Sequence, residues 1–342
     1  MLSSLSFFAL VLGSEEAGAL TVAVAGATGR VGRLVVDELL KREGVEVRAL
    51  VRDEGKAKAV LPMDSIHCEA VSFTEKEAVA RALGDAEVVV WTATGFSDAG
   101  SPLSKLKSLV DSLMAKPATA FDAKALAVIG EVATKKKARV ICCSSAAVTR
   151  PSWSEEKKKR FVGAADIPIV RLNPLDVLNI KLEGEEALRK HAQNYCVVRP
   201  TGLNDDWPDG RLVVSQGDLA VGRCNRRTLA AFLADVAVNI DPQLTDGKTF
   251  ECFALAGYPP PRDYTLQLDR LRTDSEASED KEDAKEDALD ATYALLQQLV
   301  PGETLQPNAL AMGQTYEQLD RNETGRLGQR GLEATPAFVA TK

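Results

Sequence analysis

Nearly continuous apolar runs, not alternating ones, punctuate the first three quarters of the chain. "ALTVAVAG" (residues 19–26) stops at a glycine, the pattern of a strand buried on both faces of a parallel sheet. The residues after it change period: Val31, Leu34, Val35 and Leu39 recur at helical spacing, with Arg30, Arg33, Asp37 and Lys41 on the outer face. "VEVRALVR" reads as a second strand, and "AVARALGDAEVVVWTAT" as a helix end followed by another. "AKALAVIGEVATKKKARVICCSS" gives a helix, then a strand ending at Ser144 and Ser145. "NYCVVRPTGL" and "KTFECFAL" complete the set. Strand and helix alternate from Leu20 to about Ala256, so the expected class is α/β, a doubly wound parallel sheet of Rossmann-like type with a partly helical C-terminal tail.

Three regions follow from the pattern. Residues 1–19 form an extension or the remnant of a leader, residues 20–261 the α/β domain, and residues 262–342 an acidic linker and tail. The apolar run Leu5 to Leu12 is too short to cross a bilayer and has no basic flank, so no transmembrane span is expected. In the tail, "ALDATYALLQQLVPGE" offers Leu289, Thr292, Leu296 and Leu299 as one apolar helix face. Such pieces suit docking against the body or a partner protein.

Charge adds little until it is located. The net charge is −7, and nine carboxylates against two lysines between Asp274 and Asp290 account for all of it. The remainder is near neutral, which speaks against direct nucleic-acid binding, and the acidic run reads as a solvated linker. Six cysteines lie in apolar runs with no C-x-x-C pair, and the histidines are His67 and His191. Buried free thiols are the expectation, with no metal site.

Candidate chemistry begins in "AGATGRVGR". Gly26, Gly29 and Gly32 form a G-x-x-G-x-x-G array between the first strand and the first helix. Gly26 permits a tight turn, Gly29 lets backbone approach a pyrophosphate, and Gly32 allows close helix–sheet contact. The helix start then presents free amides and its positive dipole end to the phosphates. The array points to a dinucleotide. Its type depends on the end of strand two, where Arg52 and, in the glycine loop, Arg30 favour a 2′-phosphate and hence NADP, while Asp53 leaves NAD open.

The set "VAVAGATGRVGRLVVDELL", "VRALVRDEGKA", "VVVWTATG", "RVICCSSAAVT", "EEALRKHAQNYCVVRPTGL" and "KTFECFAL" resembles the atypical short-chain dehydrogenase/reductases. The likeness is to the NmrA-like branch and to plastid proteins related to the NAD(P)-binding subunit of the chloroplast inner-envelope translocon. The resemblance implies that Gly26, Thr28, Gly29, Arg30 and Val31 line the pyrophosphate and that Arg52 holds the 2′-phosphate. Ala93, Thr94 and Gly95 would pass under the nicotinamide ribose, Ser144 and Ser145 would face the nicotinamide, and Pro200, Thr201 and Gly202 would close over that end. Where the family has an aspartate near the adenine, this chain offers Ser72. The lysines of the charged insert "TRPSWSEEKKKRF" are expected to be solvated. The tail has none of the serine/proline-rich repeats by which the translocon subunit recruits ferredoxin–NADP reductase, so that partner is not carried over.

Standard members of the family use Tyr-x-x-x-Lys. Here Lys181 fits the lysine, but Val177 stands where the tyrosine would be. A positioned proton donor contributes roughly 10²–10⁴ in rate. Lys181 and Ser145 remain the catalytic candidates, each with a plainer alternative: a surface lysine, and a strand-end hydrogen bonder. Glu183, Glu185 and Glu186 on the same helix are expected to face solvent. The expectation is an NADP(H)-binding scaffold, sensor or assembly subunit of a larger complex, joined to it through the tail. The alternative is an NADPH-dependent reductase of a small apolar substrate such as a pigment, quinone or isoprenoid. The resemblance implies a chloroplast location, stromal or thylakoid-associated; the cytoplasm is the alternative.

Overall fold

The computed structural model describes residues 19–94, 119–256, 258–261, 263–279 and 282–299. Its centre is an eight-stranded sheet. In spatial order the strands are β3 (His67–Ala70), β2 (Val45–Val51), β1 (Leu20–Ala25), β4 (Val88–Trp91), β5 (Arg139–Cys143), β6 (Tyr195–Pro200), β10 (Lys248–Ala256) and β8 (Gly210–Ser215). All neighbours are parallel except β8, which pairs antiparallel to β10 at the edge. A separate two-stranded pair joins β7 (Gly202–Leu203) to β9 (Arg223–Cys224).

The apolar runs are explained by burial on both faces. In β1, Val22 and Val24 enter one core while Ala23 and Ala25 enter the other. The first core is closed by α1 (Gly32–Leu39), α2 (Glu54–Val60) and α9 (Arg226–Val238) through Val35, Leu39, Ala57, Leu229 and Leu233. The second is closed by α3 (Lys76–Leu83), α4 (Thr119–Lys136) and α8 (Val177–His191) through Val79, Leu83, Ile129 and Leu188. Gly184 brings α8 close to α4: a Cβ there would lie 3.0 Å from Leu126 Cδ1. Three short helices, α5 (Glu155–Arg160), α6 (Val162–Ala165) and α7 (Pro168–Leu172), lie between β5 and α8.

Helix α8 departs from expectation at Glu185. Its side chain is fully buried, not solvated. Arg199 of β6 donates Nε to Oε1 at 3.0 Å and Nη2 to Oε2 at 2.6 Å, and Arg189 donates to Oε2 at 2.8 Å. Burial pushes the Glu185 carboxyl up, and the Arg199 and Arg189 charges more than offset that, so it lies below the usual carboxylate range. The Ser144 hydroxyl leans toward this carboxylate without a hydrogen bond of normal geometry.

The segment expected to be a solvated linker is helical in its described parts and docks. It comprises α10 (Thr265–Asp269), α11 (Asp274–Glu279) and α12 (Glu282–Leu299). Asp274, the first residue of the acidic run, accepts from Arg189 Nε, the Tyr195 hydroxyl, and the amide and hydroxyl of Thr249. On α12, Tyr293 and Leu296 are buried against Phe161 and Trp153, and the Tyr293 hydroxyl accepts the Gly163 N–H at 2.8 Å. Arg160 bridges to both Asp290 and Glu286. The buried face is therefore Leu289, Tyr293 and Leu296, while Leu299 is 38% exposed. The shift arises because an aromatic ring one residue from the expected stripe fills the pocket beside Phe161.

Candidate functional site

The strand order reverses direction between β1 and β4, and the loops leaving these two strands flank a crevice at the carboxyl ends of the sheet. In open α/β sheets ligands bind at that switch point. Gly26 follows β1 with φ +80°, and a Cβ on it would meet the Ala93 backbone at 2.7 Å. Only glycine reconciles that φ with so close a neighbour. Gly32 opens α1 from beneath the loop: a Cβ there would lie 2.3 Å from the Gly26 carbonyl oxygen and 2.7 Å from Thr92 Oγ1. Gly29 donates its N–H to the Gly26 carbonyl at 2.9 Å, which tightens the turn. The loop thus lies close against the start of α1, whose first amides have no intrahelical partner.

Two cavities meet here. The first, about 230 Å³, is lined by Gly26, Thr28, Gly29, Arg30, Val31, Arg52, Ala93 and Thr94, all expected from sequence, and by Lys56, Phe73, Thr92 and Arg226, which were not. Ser72 is exposed and does not line it; the neighbouring Phe73 does, edge-on to Trp91. In strand-like backbone adjacent side chains point to opposite sides, so a shift of one residue exchanges them. Gly32 supports the loop without lining either cavity. Gly95 lies outside the described residues.

The second cavity, about 610 Å³, shares Val31, Thr92 and Thr94 with the first. Ser144, Ser145, Lys181, Pro200, Thr201 and Gly202, all anticipated, line one side. Ala146, Ala147, Ile167, Ile169, Leu172 and Val221 make much of the rest of the lining apolar, with Arg150 and Arg223 also in the wall. No Asp or Glu is among the described lining residues. The hydroxyls of Ser144 and Thr201 are buried with no hydrogen-bond partner of normal geometry, so each has bonding capacity left for a ligand. Ser145 Oγ donates to the Ala146 carbonyl at 2.9 Å, the strand-end role that was its plainer alternative. Lys181 lines the cavity from α8 and makes no hydrogen bond or ion pair among the described residues. Val177, one turn earlier, packs on Ala147, Val148 and Ile167 and does not line the cavity.

Electrostatics separate the two ends. Arg52 and Lys56 make no side-chain ion pair among the described residues, and Asp53 is committed locally: its Oδ1 accepts the Lys56 N–H at 3.1 Å as the N-cap of α2. Arg30, which shares the smaller cavity with Arg52, pairs with Asp205 at 2.8 Å. At the other end, Cys143 sits beside Lys181, and burial raises its thiol to about 11 against the lowering effect of that lysine.

Arg150, at the head of the charged insert, is fully buried and part of the cavity wall. It donates to the carbonyls of Asp218, Ala164 and Ala220. The insert's lysines differ: Lys159 is exposed, whereas Lys157 lies over the Trp153 ring. Among the described residues no cluster of His, Cys, Asp or Glu could hold a metal ion, and no helix is long and apolar enough to cross a membrane.

Fold and glycine loop together define an NAD(P)-binding Rossmann protein of the atypical short-chain dehydrogenase/reductase, NmrA-like type. The chain belongs to the NAD(P)H-binding family, whose model matches residues 26–239. It is 28% identical over 222 residues to an uncharacterized chloroplastic protein of Arabidopsis thaliana, covering 62% of this chain and 70% of that one. In fold it is similar to a putative NAD-dependent epimerase/dehydratase from Bacillus halodurans, with a TM-score of 0.52 and 21% identity over 72% of this chain and 99% of that one. It is likewise similar to a short-chain dehydrogenase/reductase from Veillonella parvula, with a TM-score of 0.50 and 15% identity over 71% and 98%. At such identities the likeness to the two solved structures is one of fold alone.

Proposed function

We propose that this chain is an NADP(H)-dependent reductase of an apolar substrate. The observation that carries the reading is the junction of the two cavities at Val31, Thr92 and Thr94: one glycine-lined and cationic, the other roomy, apolar and edged by Lys181 and two unpartnered hydroxyls. The residues fit a dinucleotide, since Gly26 and Gly29 line the cationic cavity, and no Cβ at Gly26 or Gly32 could be accommodated in a loop packed so closely on Ala93 and on itself. Gly29 and Val31 would hold the pyrophosphate, Arg52 and Lys56 with Arg30 beside them the 2′-phosphate, and Lys181 the nicotinamide ribose. When bound, the cofactor supplies the hydride. The chain's part is to orient it, to hold the substrate in the larger apolar cavity, and to supply a proton.

NADP is favoured over NAD because Asp53, the carboxylate that would serve a free ribose hydroxyl, is occupied as a helix cap. Two charge-assisted contacts of about 1.5–3 kcal/mol each correspond to a preference of about 10²-fold or more. The proton would come from Lys181, or from solvent through Ser144 or Thr201, since Val177 packs outside the cavity.

A second reading, a nucleotide-binding scaffold or assembly subunit, is supported by Val177 in place of a proton donor. Its other support is the tail of residues 262–342, of which α12 packs Tyr293 and Leu296 against the body while residues 300–342 lie outside the described residues. Fluorescence titration with NADPH and NADH, followed by turnover assays with apolar quinones and carbonyl compounds, separates the two. The reductase reading expects NADPH oxidation that Lys181→Ala strongly reduces. Tight NADPH binding with no oxidation by any substrate would favour the subunit reading. For location we propose the chloroplast, on the likeness to the chloroplastic Arabidopsis protein; failure of the chain to enter isolated chloroplasts would count against it.

A further inference from the structure

The four cations around the glycine-loop cavity are of two kinds. Arg52 and Lys56 have no ion-pair partner among the described residues, whereas Arg30 and Arg226 share one carboxylate. Asp205 Oδ2 accepts from Arg30 Nη2 at 2.8 Å, and its Oδ1 accepts from Arg226 Nη1 at 2.7 Å. Each carboxylate oxygen is therefore taken by a different guanidinium, one from the glycine loop and one from the first turn of α9.

The carboxylate is held in place by its own backbone. Asn225, the N-cap of α9, donates Nδ2 to the Asp205 and Trp207 carbonyls at 3.0 and 2.8 Å. Trp207 is buried, and its indole N–H donates to the Ala254 carbonyl. The loop carrying Asp205 is thus tied to α9 and β10, which keeps its negative charge at the rim of a cavity suited to anions.

We propose that Asp205 is a built-in competitor for the cofactor's phosphate: it holds Arg30 and Arg226 as a pair and thereby sets how strongly the protein prefers a 2′-phosphorylated dinucleotide. The inference rests on the NADP(H) reading above. A 2′-phosphate carries more charge than a carboxylate and offers three oxygens, so it draws Arg30 toward Arg52 while Asp205 keeps Arg226. Because the phosphate must first break the Arg30–Asp205 pair, the pair weakens binding of the phosphorylated dinucleotide and leaves the unphosphorylated one unaffected. Arg226 matters in the same contest, because without it Asp205 holds Arg30 alone.

The test is titration of the full chain with NADPH, NADH and 2′,5′-ADP, which carries the 2′-phosphate without the nicotinamide. Asp205→Asn is expected to tighten NADPH and 2′,5′-ADP by about two- to fivefold, the range of an exposed ion pair, and to leave NADH unchanged. Arg226→Ala is expected to weaken NADPH by a similar factor. In an Arg30→Ala background the Asp205→Asn effect should vanish, an outcome a merely structural role for Asp205 would not give. Unchanged or weaker NADPH binding by Asp205→Asn overturns the proposal, and so does equal tightening of NADH. If the unsubstituted chain prefers NADPH but Asp205→Asn leaves the ratio unmoved, only the role of Asp205 falls. Equal binding of NADPH and NADH by the unsubstituted chain sinks the NADP(H) reading as well.

Discussion

Glu185→Gln tests the charge network behind the cavity. Glu185 is fully buried, and its carboxylate is bonded twice by Arg199 and once by Arg189. The substitution keeps the shape but removes the one carboxylate bonded to Arg199, itself 6% exposed, and leaves it only the charges of the buried Asp218 and Glu251. Removing one partner of a buried pair costs about 3–5 kcal/mol, and the amide oxygen retained by Gln places the loss near the lower figure, about 3 kcal/mol. For an ordered body of this size each kcal/mol moves Tm by about 2–4 °C, so the expected drop is about 6–12 °C. Circular dichroism melts and urea unfolding at pH 7 measure it, with the urea slope unchanged. The pH dependence has a definite sign. Because the Glu185 carboxyl is lowered in the folded chain, its stabilisation is present above the unfolded carboxylate pKa and is lost as pH falls through the lowered folded value. The gap between the unsubstituted chain and Glu185→Gln should therefore narrow only below about pH 4. A loss under about 1 kcal/mol, the size of an exposed pair, would refute the buried network.

Three further outcomes follow from the packing. Gly26→Ala puts a Cβ 2.7 Å from the Ala93 backbone at a φ of +80°; NADPH affinity should fall by more than about tenfold and stability by about 1–3 kcal/mol, read by titration and urea unfolding. Tyr293→Ala should cost about 3 kcal/mol or more of stability, since the ring is buried against Phe161; an unchanged urea midpoint would mean that α12 is not docked in solution. Alkylation of Cys143, followed by mass spectrometry, should be slow at pH 8 and rise about tenfold per pH unit toward about 11, because the thiolate is the reactive form; saturation near pH 8.5 would contradict a raised thiol.

The sheet and the glycine loop were legible because both rest on local pattern. A strand buried on both faces must be apolar throughout, and a turn at positive φ against a neighbouring strand must be glycine. What escaped depends on partners far along the chain. Arg30 pairs with Asp205, 175 residues away, and Arg226 reaches the same carboxylate from α9. Glu185 stands in a run of charged helix residues that looks solvated until Arg199 on β6 is brought against it. Arg150 heads a charged insert, yet the carbonyls it bonds come from two places in the fold, Ala164 and the stretch Asp218 to Ala220. The tail misled through composition: nine carboxylates suggest a free linker, but Asp274 caps a set of donors that no local pattern predicts.

The docking of α12 has a consequence for how the protein is made. Arg150, Ala220 and Ile167 line the larger cavity, while Ala220 and Ala165 also pack in the cluster that Tyr293 and Leu296 complete. The glycine loop and its first two strands leave the ribosome early, and beyond them the cationic cavity needs Lys56 of α2, Phe73, the end of β4 and the start of α9. The backing of the apolar wall waits for residue 296. A nascent chain therefore has the parts for gripping a nucleotide while its substrate chamber still lacks its outer support, and a ligand present during synthesis would meet the two halves in that order.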